Sequence, residues 1–233
     1  MRKVVPVPDT GDWISAGFFF TARIPRPAWA PDPAVVPGLV LTLSPCLASV
    51  LPNGWPSPAV PPFVRPGPPF TFGEEVAREI ERTVGAEAAS SPDDWPWTLR
   101  TLADARAFGR RFSSPISSAV LIGVAVSPTD VEKLVDESSA SERASMIRRG
   151  LPVEPGGTLR GYEVLGDGVH EAHSLLCTGS EVGASRELGV VFNADGLLDD
   201  FATARRVAEW ASRDHHGEPV DYFPYRMAEY EWR

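Results

Sequence analysis

Cysteine is scarce in this chain, and long runs of apolar residues are missing. Only Cys46 and Cys177 occur among 233 residues, which excludes a disulfide framework and leaves a single pairing between them open. No run of about eighteen apolar residues occurs, so a membrane span is excluded. Pro6 and Pro8 interrupt the apolar stretch that a signal peptide needs after Met1. We therefore expect a cytoplasmic protein with reduced thiols.

The chain has fewer basic than acidic residues. Lys and Arg total 22 against 31 Asp and Glu, which gives a formal charge of -9 at pH 7 and a pI near 5.0. This charge repels phosphate backbones and anionic lipid, so neither nucleic acid nor a membrane is expected as a partner. It suits a basic protein partner, because complementary charge speeds encounter. The glycines show no spacing typical of a phosphate-binding loop, so we expect no cofactor.

Hydrophobic residues make up 43% of the chain, enough to bury a core without disulfide or metal support. Most of the 24 prolines lie before residue 70. There they prevent long helices, because an interior proline removes a backbone donor and clashes with the preceding turn. We expect one domain over 1–233, in which 1–69 is a proline-rich segment of strands and loops packed on the body.

Short runs rich in β-branched and aromatic residues predict the strands. The clearest is 119–126, which is apolar at almost every position and is expected to be the central strand, covered on both faces. The segment 225–232 alternates, and we expect it near a sheet edge because it closes the chain. The other predicted strands are 14–22, 36–43 and 159–165.

Capping residues and apolar spacing predict the helices. Thr71 begins a capping box for a helix that ends near residue 83. Apolar side chains on one face predict a second helix over 99–112, although Gly109 weakens it. Ser127 is the N-cap of a third helix, with proline at its first position.

The C-terminal third carries both helix and turn signals. The segment 171–188 is predicted to be helical, with a break favoured at one of its two glycines. Asn193–Gly196 is a turn, because Asn, Asp and Gly tolerate positive φ. Asp199 or Asp200 then caps a helix with an apolar stripe. The mixed order of strands and helices favours an α+β fold, with helices packed on a mixed, largely antiparallel sheet.

The sharpest group of reactive side chains is His170, His173 and Cys177, at i, i+3 and i+7. On one face of a helix they would lie within reach of one zinc ion. Alternatively, Cys177 is a nucleophile and His173 its base, oriented by Asp199 or Asp200. A structural interpretation is favoured over both, with His173 bonded at the helix start and Cys177 buried as a small apolar residue. We therefore predict no metal site.

Acidic residues in the C-terminal third form the predicted binding surface for a protein partner, because carboxylates attract a basic surface. They are Asp195, Asp199, Asp200, Asp214 and Glu218. Turn and cap roles are the competing interpretation for the first three.

Several short motifs in the last third of the chain resemble a widespread group of uncharacterised bacterial proteins. They are Gly161–Gly166, His173–Cys177, Asn193 with Gly196, Leu197 and Asp199, Ala208–Trp210, and Glu218 with Pro219. The likeness continues faintly through Trp13 and the neighbourhood of Ser44 and Cys46. It implies no activity and no site residue. In type, the group is similar to immunity proteins of bacterial toxin systems, which are small, acidic and cytoplasmic and lack catalytic motifs.

The charge, the missing catalytic motifs and this resemblance favour a non-catalytic cytoplasmic binding protein, an immunity-type inhibitor that sequesters a protein toxin. The alternative is an enzyme that acts on a small molecule through His173 and Cys177. A third interpretation is a homo-oligomer that uses its aromatic terminal segments. The sequence does not decide the oligomeric state.

Overall fold

The computed structural model describes residues 12–27, 34–44, 47, 74–87, 99–137, 144, 147–167, 172–214 and 220–233. In this part of the chain, a five-stranded antiparallel sheet carries helices on its two faces, and a two-stranded ribbon accompanies it. The α+β class predicted from the sequence is confirmed.

The strands and helices alternate irregularly along the chain. The strands are β1 (Ile14–Thr21), β2 (Arg23–Pro25), β3 (Leu39–Leu41), β4 (Val120–Val126), β5 (Thr158–Asp167), β6 (Ala172–Ser174) and β7 (Tyr222–Tyr230). The helices are α1 (Glu74–Glu87), α2 (Leu102–Arg111), α3 (Val131–Glu137), α4 (Leu175–Thr178), α5 (Glu181–Leu188) and α6 (Phe201–Asp214), with a 3-10 turn at Pro128–Asp130. None of these helices is long and apolar enough to cross a membrane.

The sheet has the strand order β1-β4-β7-β5-β6, and each neighbouring pair is antiparallel. β4 is an interior strand between β1 and β7, but the middle position belongs to β7. The expectation that the last strand lies near an edge is therefore wrong. β7 pairs with β4 along one side and with β5 along the other, because position in the chain does not set position in a sheet.

The predicted helix over 171–188 is instead a short strand followed by two helices. Residues 172–174 pair with the end of β5, since backbone hydrogen bonds to an open strand edge outweigh a weak helical preference. Ser174 then caps α4 by accepting a hydrogen bond from the Leu176 amide at 3.2 Å. Gly179, with φ of 72°, ends α4, so the break predicted at a glycine is confirmed.

One core lies where α2 packs against β1. Phe20 on β1 is in ring contact with Phe108 at 5.5 Å and with Trp232 at 5.4 Å between centroids. All three side chains are buried. β1 belongs to the proline-rich N-terminal segment, of which 12–27, 34–44 and 47 are described, so this part of the segment is built into the body.

The second core lies on the opposite face of the sheet, under α5 and α6. The small apolar stripe of α6 packs there against Tyr162 of β5 and against Trp13. Tyr162 and Trp13 lie 5.7 Å apart between ring centroids. The two cores divide β4 between them, because Val124 belongs to the first and its neighbour Ala125 to the second. Alternation along a strand thus places one sheet between two helical layers.

Gly109 lies where α2 packs tightly against Phe20 of β1 and against Trp232. A Cβ on Gly109 would lie 2.4 Å from the Trp232 ring and 3.0 Å from the Phe20 ring. Alanine stabilises an ordinary helix relative to glycine, but here we expect Gly109→Ala to lower the free energy of unfolding by about 1 to 3 kcal/mol through overpacking. Chemical denaturation measures this change.

Gly38→Ala is the matched control, because nothing lies within 4 Å of a Cβ added there. We expect it to change the free energy of unfolding by no more than about 0.5 kcal/mol. A Gly109→Ala variant as stable as the parent would contradict the packing of α2 described above.

Candidate functional site

His173 and Cys177 do not share a helix. His173 lies in β6, whereas Cys177 lies in α4 as a half-buried free thiol. The helical spacing behind the shared zinc site and the cysteine-histidine pair is therefore wrong, and His170 and Cys46 lie outside the described residues. Among the residues that the structure describes, no group of three or more His, Cys, Asp or Glu side chains is placed to hold a metal ion.

A buried polar cluster nevertheless surrounds Cys177, and its centre is Glu163 on β5. The Glu163 carboxylate accepts hydrogen bonds from the Thr42 hydroxyl at 2.5 Å and from the Leu43 amide at 2.6 Å. The Thr42 hydroxyl in turn accepts a bond from the Ser44 amide at 3.0 Å. Glu163 thus anchors the segment that follows β3 to a strand more than a hundred residues further along the chain.

The same segment reaches Cys177. The Ser44 hydroxyl lies 3.2 Å from the Cys177 sulfur. Burial raises the pKa of Glu163 to about 7, although hydrogen bonds from Thr42, Leu43 and Ser174 oppose the rise and the nearby Cys177 adds to it. A carboxyl group with such a pKa changes charge near neutral pH.

Glu181, the first residue of α5, is a second buried carboxyl group beside Cys177. It is 2% exposed, and neither of its carboxylate oxygens has a hydrogen-bond partner among the described residues. Burial raises the pKa of Glu181 to about 7, and the nearby Cys177 contributes to the rise. We call Thr42, Ser44, Glu163, Ser174, Cys177 and Glu181 the Cys177 cluster.

Asp195 is tied to two strands by arginines, and a glutamate of a third strand joins the same network. It accepts hydrogen bonds from Arg23 of β2 at 2.9 Å and from Arg160 of β5 at 2.8 Å. Glu229 of β7 lies 2.9 Å from Arg23 and 3.7 Å from Arg160. Asp195 is buried, so these four side chains form an ion-pair network that fastens the ribbon to the sheet.

Asn193 builds the turn that presents Asp195. Its side-chain oxygen accepts hydrogen bonds from the amides of Asp195 at 3.0 Å and Leu197 at 3.1 Å. Its side-chain nitrogen donates to the Asp199 carboxylate at 2.9 Å. Gly196 follows with φ of 76°, which only glycine adopts without strain. The turn predicted at these residues is confirmed.

The predicted acidic surface is divided between different roles. Asp195 is enclosed by arginines, and Asp200 caps α6 by accepting a bond from the Thr203 amide at 2.8 Å. Asp199 is exposed beside them. Asp214 is the last residue of α6, and Glu218 lies outside the described residues. The structure therefore brings Asp195, Asp199 and Asp200 together around one turn, and of these three Asp199 is the exposed one.

The Cys177 cluster contains residues that the sequence did not mark. Thr42, Ser44 and Glu181 carry no local signal, because their environment depends on chain segments that meet only in the folded state. Glu163 did carry one, since it is a lone carboxylate in an otherwise apolar stretch of β5. A buried strand face that contains a glutamate requires a hydrogen-bond donor from elsewhere.

Comparison of the chain with protein-family models, with curated proteins and with solved structures returned no match.

Removing the Asp195 carboxylate tests the ion-pair network. Asp195→Ala leaves Arg23 and Arg160 without their buried acceptor, and both are partly exposed, so water recovers some of the loss. We expect the free energy of unfolding to fall by about 2 to 3 kcal/mol. Urea denaturation measures the change.

Asp199→Asn is the control for this variant, because Asp199 is exposed in the same turn and asparagine keeps an oxygen that accepts the hydrogen bond from Asn193. We expect it to cost no more than about 0.5 kcal/mol. Equal effects of the two substitutions would show that the arginines contribute nothing beyond the turn itself.

Proposed function

We propose that the protein acts by binding a protein partner without turning over a substrate, as an immunity-type inhibitor that sequesters a basic toxin. The observation that carries the proposal is that three acidic side chains, which could have served in catalysis, instead hold parts of the fold together. Glu163 holds the segment after β3, Asp195 holds Arg23 and Arg160, and Asp200 caps α6. Function is then expected at the surface rather than at a catalytic centre.

The charge of the chain supports a basic partner. A formal charge of -9 produces a long-range field that attracts a cationic protein and rejects anionic competitors. Asp199 and Glu209 supply exposed carboxylates at the start and on the outer face of α6. Binding through such groups weakens as salt screens them.

Association with the product of a neighbouring gene tests this function. We expect the two proteins to purify together, co-expression to protect cells from the neighbour's toxicity, and the dissociation constant to rise with salt concentration. If the neighbour is no toxin and co-expression protects no cell, the proposed function is wrong.

A pair of charge reversals tests where the partner binds. Asp199→Lys places a cation in the predicted binding surface, and we expect it to weaken association about tenfold or more. Glu132→Lys on α3 changes the net charge by the same amount at another exposed position, and we expect an effect below about threefold. Equal weakening by both variants would show that only the overall field matters and would reject the Asp199 surface.

A second candidate function is an enzyme that acts on a small molecule through Cys177. The specific observation in its favour is the pair of buried carboxyl groups beside this thiol, since groups that titrate near neutral pH serve as general acids and bases. His173 has no helical position from which to serve as the base. Cys177→Ala separates the two candidates: a non-catalytic inhibitor keeps its protective effect, whereas an enzyme loses its activity while its fold remains intact.

A further inference from the structure

We propose that the corner formed by α4 and the start of α5 is a proton-gated latch, while residues 42–44 stay anchored to Glu163. It is closed while Glu181 carries its proton, and it opens locally when Glu181 ionises, which exposes the half-buried Cys177 thiol to solvent. This latch is independent of the proposed function, because it concerns only the interior of the chain.

The dry environment of Glu181 is the basis of the latch. Both carboxylate oxygens are sealed from solvent, and neither accepts a hydrogen bond from another described residue. An ionised carboxylate in that position would have no water around it, and the backbone amide of Glu181 itself is the group that favours the charge. Ionisation therefore favours any arrangement that lets water reach the group.

The charged groups near Glu181 do not relieve this cost. Cys177 faces it from α4 and disfavours a second negative charge there. Arg206 of α6 instead donates to the Leu188 carbonyl at the far end of α5. In the described part of the chain, no Lys, Arg or His lies within ion-pair distance of Glu181.

The corner is built for local opening. α4 has four residues and ends at Gly179 in the left-handed region. The contacts that close the corner include the Ser44 hydroxyl with the Cys177 sulfur at 3.2 Å and the Ser180 amide with the Leu175 carbonyl at 3.1 Å. A short helix that ends at such a glycine can open without unfolding the rest of the protein.

The direction of the pH dependence follows from linkage. Glu181 has a pKa of about 7 when closed and an ordinary value of 4.5 when exposed, so the closed state binds the additional proton. Below pH 4.5, the ordinary pKa of the exposed carboxyl group, this proton stabilises the closed state in full. It loses stability as the pH rises from 4.5 to about 7 and changes little above that.

Alkylation of Cys177 measures the opening. The full-length protein is labelled with N-ethylmaleimide between pH 5 and pH 8, and the Cys177 peptide is quantified by mass spectrometry. The rate in the denatured chain, divided by the rate in the native protein at the same pH, gives a protection factor that cancels the ionisation of the thiol itself. We expect this factor to fall about tenfold per pH unit up to about pH 7 and then to level off.

Glu181→Gln removes the titrating group at nearly constant shape, and we expect it to abolish most of this slope. Glu181→Met, which removes the unpaired polar atoms, is a second variant in case the amide does not fold, and its protection should be high and independent of pH. Glu187→Gln, on the exposed face of the same helix, should keep the parent slope. A flat parent profile, or an unchanged slope in the folded Glu181 variant, would overturn the latch.

Discussion

The hydrogen bonds between Glu163 and residues 42–43 are the constraint on which the rest of the candidate site depends. They join the segment after β3 to β5 from inside the protein, where each bond to a carboxylate contributes about 1.5 to 3 kcal/mol. Because that segment is held there, Ser44 meets Cys177, and α4 is enclosed between the ribbon and the sheet. The chemistry around Cys177 thus follows from how the N-terminal segment is anchored.

Two buried carboxyl groups lie near the Cys177 thiol, and they differ in their hydrogen bonding. Glu163 is satisfied by donors that its own position brings together, whereas Glu181 is buried without a partner among the described residues. The fold tolerates the second group while it is neutral. Asp195 is a third buried carboxyl group, and its charge is balanced by Arg23 of β2 and Arg160 of β5. Glu163 and Glu181, each with a pKa of about 7, both couple the structure to pH in the neutral range.

Local structure was readable wherever a short-range rule applies. The apolar run 119–126 became β4, and the turn at Asn193–Gly196 formed because Asn and Gly satisfy its backbone. Ser127 capped the following turn as its hydroxyl chemistry predicts. The same reasoning failed for residues 172–174, whose helical pattern gave way to pairing with β5. It also failed for β7, because strand order is a property of the assembled sheet.

By itself, the sequence determined the α+β class, most helix and strand positions, the acidity and the scarcity of reactive groups, since each depends on composition or on neighbours within a few residues. Only the tertiary structure shows that Asp195 is buried between Arg23 and Arg160, and that His173 and Cys177 lie on different elements. Only the tertiary structure shows that Glu163 and Glu181 both lie near Cys177. Burial and pairing depend on segments far apart in the chain, and they determine what each ionisable side chain does.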